Sequence, residues 1–293
     1  MIVIARILIV AFALTVTGCA TIRESVPPET TIGSMKSLSI SEDLPSSDFF
    51  PGHSAVAQGT RYVVVQADGG NILLGPIFGA INISANTRKM AEKYRGSLLS
   101  IDPMPIAREA MASGGVLPSE TRASFVAKPF VFVQHCYDDR FRLSLIFHVE
   151  NTDQSPSWIG RYTYHLPTTY AASQFAQLSE GQIQNYRAEL TRGAAILTRL
   201  MLRDLSGELP ATGKLVDFGS LHLLGHKMGG LGIYTMPEEL YFAKSQLIEE
   251  TDSHVTMRVK GVMNTAAVFG GMGFGVHYID RKLVHTLKPV ETE

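Results

Sequence analysis

Residues 130–150 read FVFVQHCYDDRFRLSLIFHVE, and this stretch decides the fold. Residues 130–133 are apolar at every position, and after the polar residues at 137–139 apolar side chains recur at every second position, interrupted only by Ile146, as expected for two strands joined by a turn. In the second strand the apolar positions are Phe141, Leu143, Leu145, Phe147 and Val149. The alternation predicts an antiparallel hairpin with one buried face and one wet face.

A third strand and a long helix extend this prediction. Residues 158–166 follow a turn-rich link and place Trp158, Tyr162 and Tyr164 on one face. An amphipathic helix is predicted over 179–205 because apolar side chains recur at intervals of three and four: Ile183, Tyr186, Leu190, Ala194, Leu197, Met201 and Leu205. The simplest architecture is a two-layer α+β fold, an antiparallel sheet with helices packed on one face.

Shorter patterns fill in the rest of the fold. Before the hairpin the sequence predicts a strand over 60–66 and helices over 85–99 and 106–112. After the long helix it predicts strands over 215–224, 240–250, 254–260 and 275–286. The last third of the chain is therefore expected to enlarge the sheet.

The segment 71–83 reads NILLGPIFGAINI and contains no charge. Gly75 and Gly79 stand four apart with Phe78 between them, a spacing that lets two helices approach closely in membranes. The segment is shorter than the ~20 residues that a spanning helix needs. Two interpretations stay open: the buried start of a helix or loop, or a surface for membrane contact or self-association into a homo-oligomer.

Composition narrows the function classes. The chain has 26 Lys and Arg against 27 Asp and Glu, with no basic block, which argues against nucleic-acid binding and electrostatic membrane docking. There are only two cysteines, Cys19 and Cys136. If Cys19 is modified, Cys136 has no partner for an internal disulfide.

The common catalytic motifs are not found. His222 and His226 are four apart, but Leu replaces the Glu of a zinc-binding helix and nearby glycines disfavour a helix. His135 and Cys136 are strand neighbours that point to opposite faces, so they form no nucleophile–base pair. The glycine-rich 270–275 lacks the Lys-Ser/Thr of a phosphate loop. The sequence therefore predicts no catalytic residue, no metal site and no cofactor.

The N-terminus carries an export signal. Arg6 is the only charge before Cys19, and the apolar core over 7–16 has the length of a signal h-region and is too short for a membrane span. It ends in Val16-Thr17-Gly18-Cys19, which resembles the lipobox of bacterial lipoproteins.

That resemblance implies cleavage after Gly18 and lipidation of Cys19. Two or more acyl chains then give a stable membrane anchor, where one would be marginal. In the enterobacterial pattern an Asp after the cysteine favours the inner membrane, so Ala20 points to the outer membrane, facing the periplasm. The resemblance covers the first twenty residues only.

These observations predict three segments. Residues 1–18 form the lipoprotein signal peptide, and 19–55 form the lipidated cysteine and a flexible tether rich in proline and serine. Residues 56–293 form a single α+β envelope domain, with a sub-boundary near 207–214.

Three functions are compatible with these observations. The preferred hypothesis is a non-enzymatic envelope lipoprotein that binds another envelope component, as an accessory in assembly, transport or maintenance. The alternative is a binding module for a lipid or another apolar ligand, with 71–83 lining a cleft and Trp158, Tyr162 and Tyr164 forming a wall. A hydrolase that uses Cys136 or a serine ranks third.

Overall fold

The structure is a computed structural model that describes fourteen stretches of the chain. The described residues are 25–29, 38–52, 54–66, 76–99, 101–116, 123–136, 139–151, 153, 157–210, 212–220, 227–228, 234–235, 240–260 and 273–290. The predicted signal peptide and Cys19 therefore lie outside the described residues.

The described residues form fourteen strands and four α helices. The strands are β1 (Leu38–Ile40), β2 (Ala55–Val56), β3 (Tyr62–Gln66), β4 (Phe125–His135), β5 (Arg140–Asn151), β6 (Ile159–His165), β7 (Tyr170–Ala171), β8 (Leu215–Ser220), β9 (Lys227–Met228), β10 (Tyr234–Thr235), β11 (Leu240–Glu250), β12 (His254–Lys260), β13 (Phe274–Asp280) and β14 (Val284–Pro289). The helices are α1 (Pro76–Leu99), α2 (Pro103–Ser113), α3 (Ala172–Phe175) and α4 (Glu180–Leu205).

The hairpin and the third strand are confirmed. β4 and β5 pair antiparallel from Phe125 opposite Asn151 to His135 opposite Phe141. β6 adds to β5, again antiparallel, with Ser144 opposite His165. The α+β class is also confirmed, since a large sheet is combined with helices.

The expected purely antiparallel sheet is wrong, because the sheet is mixed. Its strand order is β14-β8-β11-β12-β13-β6-β5-β4-β3-β2, with β1 also paired to β4 and β7 to β5. Three of the pairs are parallel, namely β1–β4, β3–β4 and β13–β6. Helices α1 and α2 lie between β3 and β4 in the chain, and a crossover of this length returns the chain in the same direction. Side chains alternate in the same way along parallel and antiparallel strands. The sequence pattern therefore could not show that some of the pairs are parallel.

One hydrophobic cluster joins the helices to the sheet. It includes Tyr94 and Leu98 of α1, Ala107 and Met111 of α2, and Tyr186, Leu190, Leu197 and Met201 of α4. On the sheet side it includes the apolar positions of the hairpin that the sequence identified: Phe141, Leu143, Leu145, Phe147 and Val149. The helix α4 begins as predicted, because Ser179 and Gln182 form a reciprocal capping box. Among the described helices, none is long and apolar enough to cross a membrane.

A buried ion pair ties the end of α4 to the sheet. Arg258 of β12 donates to Asp204 at 2.6 Å, and the Tyr162 hydroxyl donates to the same carboxylate at 2.9 Å. Asp204 and Arg258 are both buried. β8, β11, β12, β13 and β14, which follow the expected sub-boundary near 207–214, belong to the same sheet as the strands that precede it, whereas β9 and β10 form a separate two-stranded sheet.

Two stretches differ from the expected pattern. The strand expected over 275–286 is two strands, because a 3-10 turn at Arg281–Leu283 moves the chain from β12 and β6 to β8. The apolar stretch 71–83 is described only from Pro76 onward, where it opens α1.

Part of the predicted tether belongs to the fold. β1 pairs with β4, and β2 pairs with β3. Further upstream, the indole Nε1 of Trp158 donates to the Val26 carbonyl at 3.0 Å, and Ser25 and Pro28 are buried. The chain is therefore in contact with the domain a few residues after the proposed cleavage position.

The close contact between α4 and β6 predicts the effect of a single methyl group. A Cβ at Gly193 would lie 2.4 Å from the Tyr164 ring, so Gly193→Ala should lower the free energy of unfolding by about 1–3 kcal/mol through overpacking. Gly181 lies in the first turn of the same helix and has no atom within 4 Å of its Cβ position. Gly181→Ala should be neutral or stabilising by up to about 1 kcal/mol. Urea unfolding of both variants tests this, and equal stabilities would show that the close contact is wrong.

Candidate functional site

A polar stripe crosses the sheet on the face opposite the hairpin's main-core side chains. Its members come from β4, β5, β6 and β13 and are all buried: Gln134, Ser144, His148, Arg161, Thr163, His165 and His277. Strand register brings them together, since Ser144 lies opposite His165 and Thr163 lies opposite His277. Apolar side chains of β3 and β4 flank the stripe: Val63, Val65, Phe130 and Phe132.

A hydrogen-bonded chain runs along the stripe. The Nε2 atom of His277 lies 3.2 Å from the Gly273 carbonyl, which only accepts, so this nitrogen carries the proton. The Nδ1 atom of His277 then accepts from Nε2 of His165 at 3.0 Å. That leaves Nδ1 of His165 to accept from the Ser144 hydroxyl at 3.1 Å. The network thus assigns one tautomer to each neutral imidazole.

Burial favours the neutral form of His277 and of His148, another histidine of the stripe. Desolvation lowers the pKa of His277 to about 4, and it lowers the pKa of His148 to about 4 although Glu150 accepts a hydrogen bond from that ring at 3.1 Å. Hydrogen bonds from His148 and Lys128 lower the pKa of Glu150 to about 2. Burial likewise lowers the pKa of Arg161 to about 9.

Phe49, in the segment between β1 and β2, covers part of the polar stripe. The Phe49 ring lies 5.0 Å from the His148 ring, and the Phe49 carbonyl accepts from Arg161 Nη2 at 2.6 Å. Phe242 lies 6.1 Å from His277 between ring centroids. The expected wet face is therefore wrong at Ser144 and His148, which are buried.

Ser144, His165 and His277 have the order of a nucleophile, a base and an orienting group. However, Ser144 is 4 % exposed and each histidine is 1 % exposed. Neither of the two cavities described below is lined by any of the three. Among the described residues, these three side chains link β5, β6 and β13. The Ser144 hydroxyl and all four imidazole nitrogens have a hydrogen-bond partner.

An open cleft lies beside β2, at the end of the sheet order. It has a volume of about 760 Å³, and we call it the edge cleft. Its lining residues are Ser47, Asp48, Phe50, Pro51, Gly52, Ser54, Ala55, Val56, Gln58, Arg88 and Glu92. Val56 is 39 % exposed and is one of two exposed large apolar side chains among the described residues. The volume is in the range of ligand sites in proteins.

A second cavity of about 500 Å³ lies at Arg61 and Asp102. Arg61 donates to the carbonyls of Pro129 and Ser41, both at 3.1 Å, and burial lowers its pKa. These bonds fasten the segment after β1 to β4. We interpret Arg61 as a structural clamp for the N-terminal segment.

The aromatic residues singled out in the sequence lie in the main core. Trp158, Tyr162 and Tyr164 are buried in one cluster, as their shared face predicted. Trp158 contacts the N-terminal segment, Tyr162 bonds Asp204, and Tyr164 packs on Gly193. They therefore line neither the edge cleft nor the second cavity.

The other predicted positions are only partly described. Phe78 and Gly79 lie in the first turns of α1, at positions where only the backbone is described, and Gly75 lies outside the described residues. Gly18, Cys19, His222 and His226 also lie outside them. Cys136 is buried, and its Sγ lies 3.9 Å from the Gln134 carbonyl. The described residues contain no group of three or more His, Cys, Asp or Glu that could hold a metal ion.

The hydrogen-bonded chain of Ser144, His165 and His277 was not predicted from the sequence. The only sequence feature that pointed to it was the row of polar residues on one face of β5. Strand pairing then brings Arg161, His165 and His277 next to that row, and the sequence does not show this pairing. No protein-family model, curated protein or solved structure matches this chain. Its function is therefore inferred from its own residues.

The buried histidines predict a pH-dependent stability. Unfolded His277 and His148 bind protons below their ordinary pKa of 6.5, whereas the folded side chains do so only below about 4. Folding is therefore destabilised as the pH falls from about 6.5 to 4. The free energy of unfolding should drop by about 1–2 kcal/mol per histidine between pH 7 and pH 5.

Chemical denaturation at both pH values measures this drop. His277→Gln should make the drop in the free energy of unfolding smaller by the contribution of one histidine, about 1–2 kcal/mol. The reason is that the variant has no imidazole at 277 to take up a proton on unfolding. His285→Gln, at an exposed histidine, is the control and should leave it unchanged. An unaltered pH dependence in His277→Gln would contradict the buried, neutral imidazole.

Proposed function

We propose that this protein is a bacterial envelope lipoprotein that is held in the outer membrane by lipid on Cys19 and faces the periplasm. Its folded domain acts as a non-enzymatic accessory that binds another envelope component in assembly, transport or maintenance. The observation that carries the proposal is Val16-Thr17-Gly18-Cys19 at the end of a ten-residue apolar stretch. The h-region length and the small residues before the cysteine both support it.

The edge cleft is the proposed binding site for that component. β2 is the last strand in the order of the described sheet, and its two residues line the cleft together with Arg88 and Glu92 of α1. Sheet edges accept an added strand through main-chain hydrogen bonds, and nearby pockets select its side chains. We therefore propose that an extended segment of an envelope protein occupies the cleft.

The expected two-layer arrangement belongs to the same proposal. In it α1, α2 and α4 cover one face of the sheet and leave β2 accessible at the edge. Support comes from the cluster that these helices share with alternate residues of β4 and β5, while the other alternate residues belong to separate clusters.

The anchor is tested by mutating the lipidated residue. Cys19→Ala removes the thiol that would carry the lipid, so the precursor should stay unacylated and should keep its signal peptide. Intact-mass spectrometry measures both the missing lipid and the retained signal peptide. Cys136→Ala is the control, since that buried thiol lies within the domain. Normal acylated mature protein from Cys19→Ala would contradict the anchor.

The binding site is tested by reversing one charge in the cleft. Arg88→Glu should weaken binding of the co-purifying envelope protein by about tenfold, because it reverses the charge of the one lysine or arginine side chain in the cleft's described lining, at a position beside Asp48 and Glu92. Lys89→Glu is the matched control: Lys89 is the next exposed residue of α1 and does not line the cleft. The measurement is quantitative mass spectrometry of crosslinked, detergent-solubilised complexes.

The outcomes separate the hypotheses. A stoichiometric protein that is lost in Arg88→Glu and kept in Lys89→Glu supports the edge cleft. A protein kept in both variants shows that binding occurs elsewhere. A lone protein that carries a defined lipid favours the apolar-ligand alternative.

A further inference from the structure

The open edge of β2 presents the main chain of one residue to the edge cleft. The Ala57 N–H donates to the Tyr62 carbonyl at 3.0 Å, so these two residues form a hydrogen-bonded pair of the β2–β3 hairpin. Because hydrogen-bonded and non-hydrogen-bonded pairs alternate in an antiparallel ladder, the next pair, Val56 with Val63, is a non-hydrogen-bonded one. The N–H and C=O of Val56 therefore point away from β3. Since β2 ends the order of the described sheet and Val56 lines the cleft, both groups are accessible to an added strand.

The two sides of the edge cleft come from opposite faces of the sheet. Val56 lies opposite Val63, which packs with Phe50 of the segment before β2. Ala55 lies opposite Val64, which belongs to the cluster that contains the buried face of α1. A strand added to β2 would therefore direct alternate side chains toward Phe50 and toward α1.

The side of the cleft formed by the segment before β2 is mainly apolar. It is lined by Phe50 and Pro51, and beside them lies Val56, which is 39 % exposed. Among the described lining residues of this segment, only Asp48 is charged. An apolar side chain of an added strand would remove the exposed part of Val56 from water.

The side of the cleft formed by α1 carries two opposite charges one helical turn apart. Arg88 and Glu92 are both exposed, and neither has an ion pair or hydrogen bond with another described residue. Further along α1, the Nε of Arg95 donates to the Gln58 carbonyl at 2.8 Å, so the helix runs alongside β2. Side chains four apart on a helix have Cβ atoms about 5–6 Å apart, and alternate side chains of a strand are about 6.5 Å apart. Two charged residues at alternate positions of an added strand can therefore face Arg88 and Glu92.

We infer that the bound envelope-protein segment is an amphipathic strand with an acidic and a basic residue two positions apart and an apolar residue between them. This inference rests on the proposed function and adds the chemistry of the segment that the edge cleft binds. The acidic side chain faces Arg88 and the basic one faces Glu92, while the apolar side chain packs on Val56. The main chain of the segment bonds the N–H and C=O of Val56.

Three synthetic heptapeptides test the side-chain pattern by fluorescence anisotropy, with the full-length protein in detergent micelles. Two of them, Thr-Thr-Glu-Val-Lys-Thr-Thr and Thr-Thr-Lys-Val-Glu-Thr-Thr, alternate as inferred and fit the two possible strand directions. The third, Thr-Thr-Val-Glu-Lys-Thr-Thr, has the same composition but directs its two charges to opposite sides of the strand. One alternating peptide should bind at least about fivefold more tightly than the third. Equal binding of all three, or no binding at their highest soluble concentration, would overturn the inference.

A proline substitution tests the main-chain bond. Val56→Pro removes the outward N–H, and it leaves the pairing with β3 in place because this N–H is not part of that pairing. The variant should bind the preferred alternating peptide about tenfold more weakly. Val56→Ile is the matched control, since it keeps both the N–H and an apolar side chain, and it should bind as the original protein does. Unchanged binding by Val56→Pro would contradict strand addition.

A charge exchange gives a test that does not depend on the folding of the proline variant. In Arg88→Glu both charges on the helix side are negative, so Thr-Thr-Lys-Val-Lys-Thr-Thr should bind about fivefold more tightly than the preferred alternating peptide. The original protein should show the opposite preference. The same preference in both proteins would overturn the inference.

The co-purifying envelope protein separates this inference from the proposed function. If that protein is kept in Arg88→Glu, it binds outside the edge cleft, and the proposed site and this inference both fail. If it is lost in Arg88→Glu but kept in Val56→Pro, the edge cleft is the binding site and only the added strand is wrong.

Discussion

The pairing between β4 and β5 is the constraint on which the rest of the structure depends. Because side chains alternate along a strand, its register determines which residues enter the main core and which enter the polar stripe. A slip of one residue would expose Leu143 and Leu145 to the stripe and push Ser144 into the helix-bearing core. Eleven consecutive pairs hold this register, and β6 then inherits it through its own pairing with β5.

The polar stripe, on the other face of the sheet, also depends on the strand register. Buried polar groups are costly unless they are hydrogen-bonded, and here the bonds run between strands, from Ser144 to His165 and from His165 to His277. Each bond requires a particular side chain at a particular position of the neighbouring strand. The stripe therefore favours one arrangement of β5, β6 and β13 over alternatives that an apolar surface would tolerate.

Much of the fold could be predicted from local pattern. The hairpin, the helix α4 with its Ser179 cap, and strands β11 and β12 follow from alternation, capping and helical spacing. The parallel pairs and the burial of Ser144 and His148 could not be predicted, because both depend on residues far away in sequence. The site that contains Arg161, His165 and His277 exists only because β13 pairs with β6. The edge cleft was missed for a similar reason, since its lining comes from the assumed tether and from α1.

The parallel pairing of β13 with β6 affects how the chain folds as well as its final structure. Tyr162 lies opposite Val276, so the centre of the sheet joins residues that are more than a hundred positions apart. Contacts of such high sequence separation form late and slow folding. The middle of the sheet therefore stays incomplete until the C-terminal strands have been synthesised, so the two halves of the chain cannot become compact independently of each other.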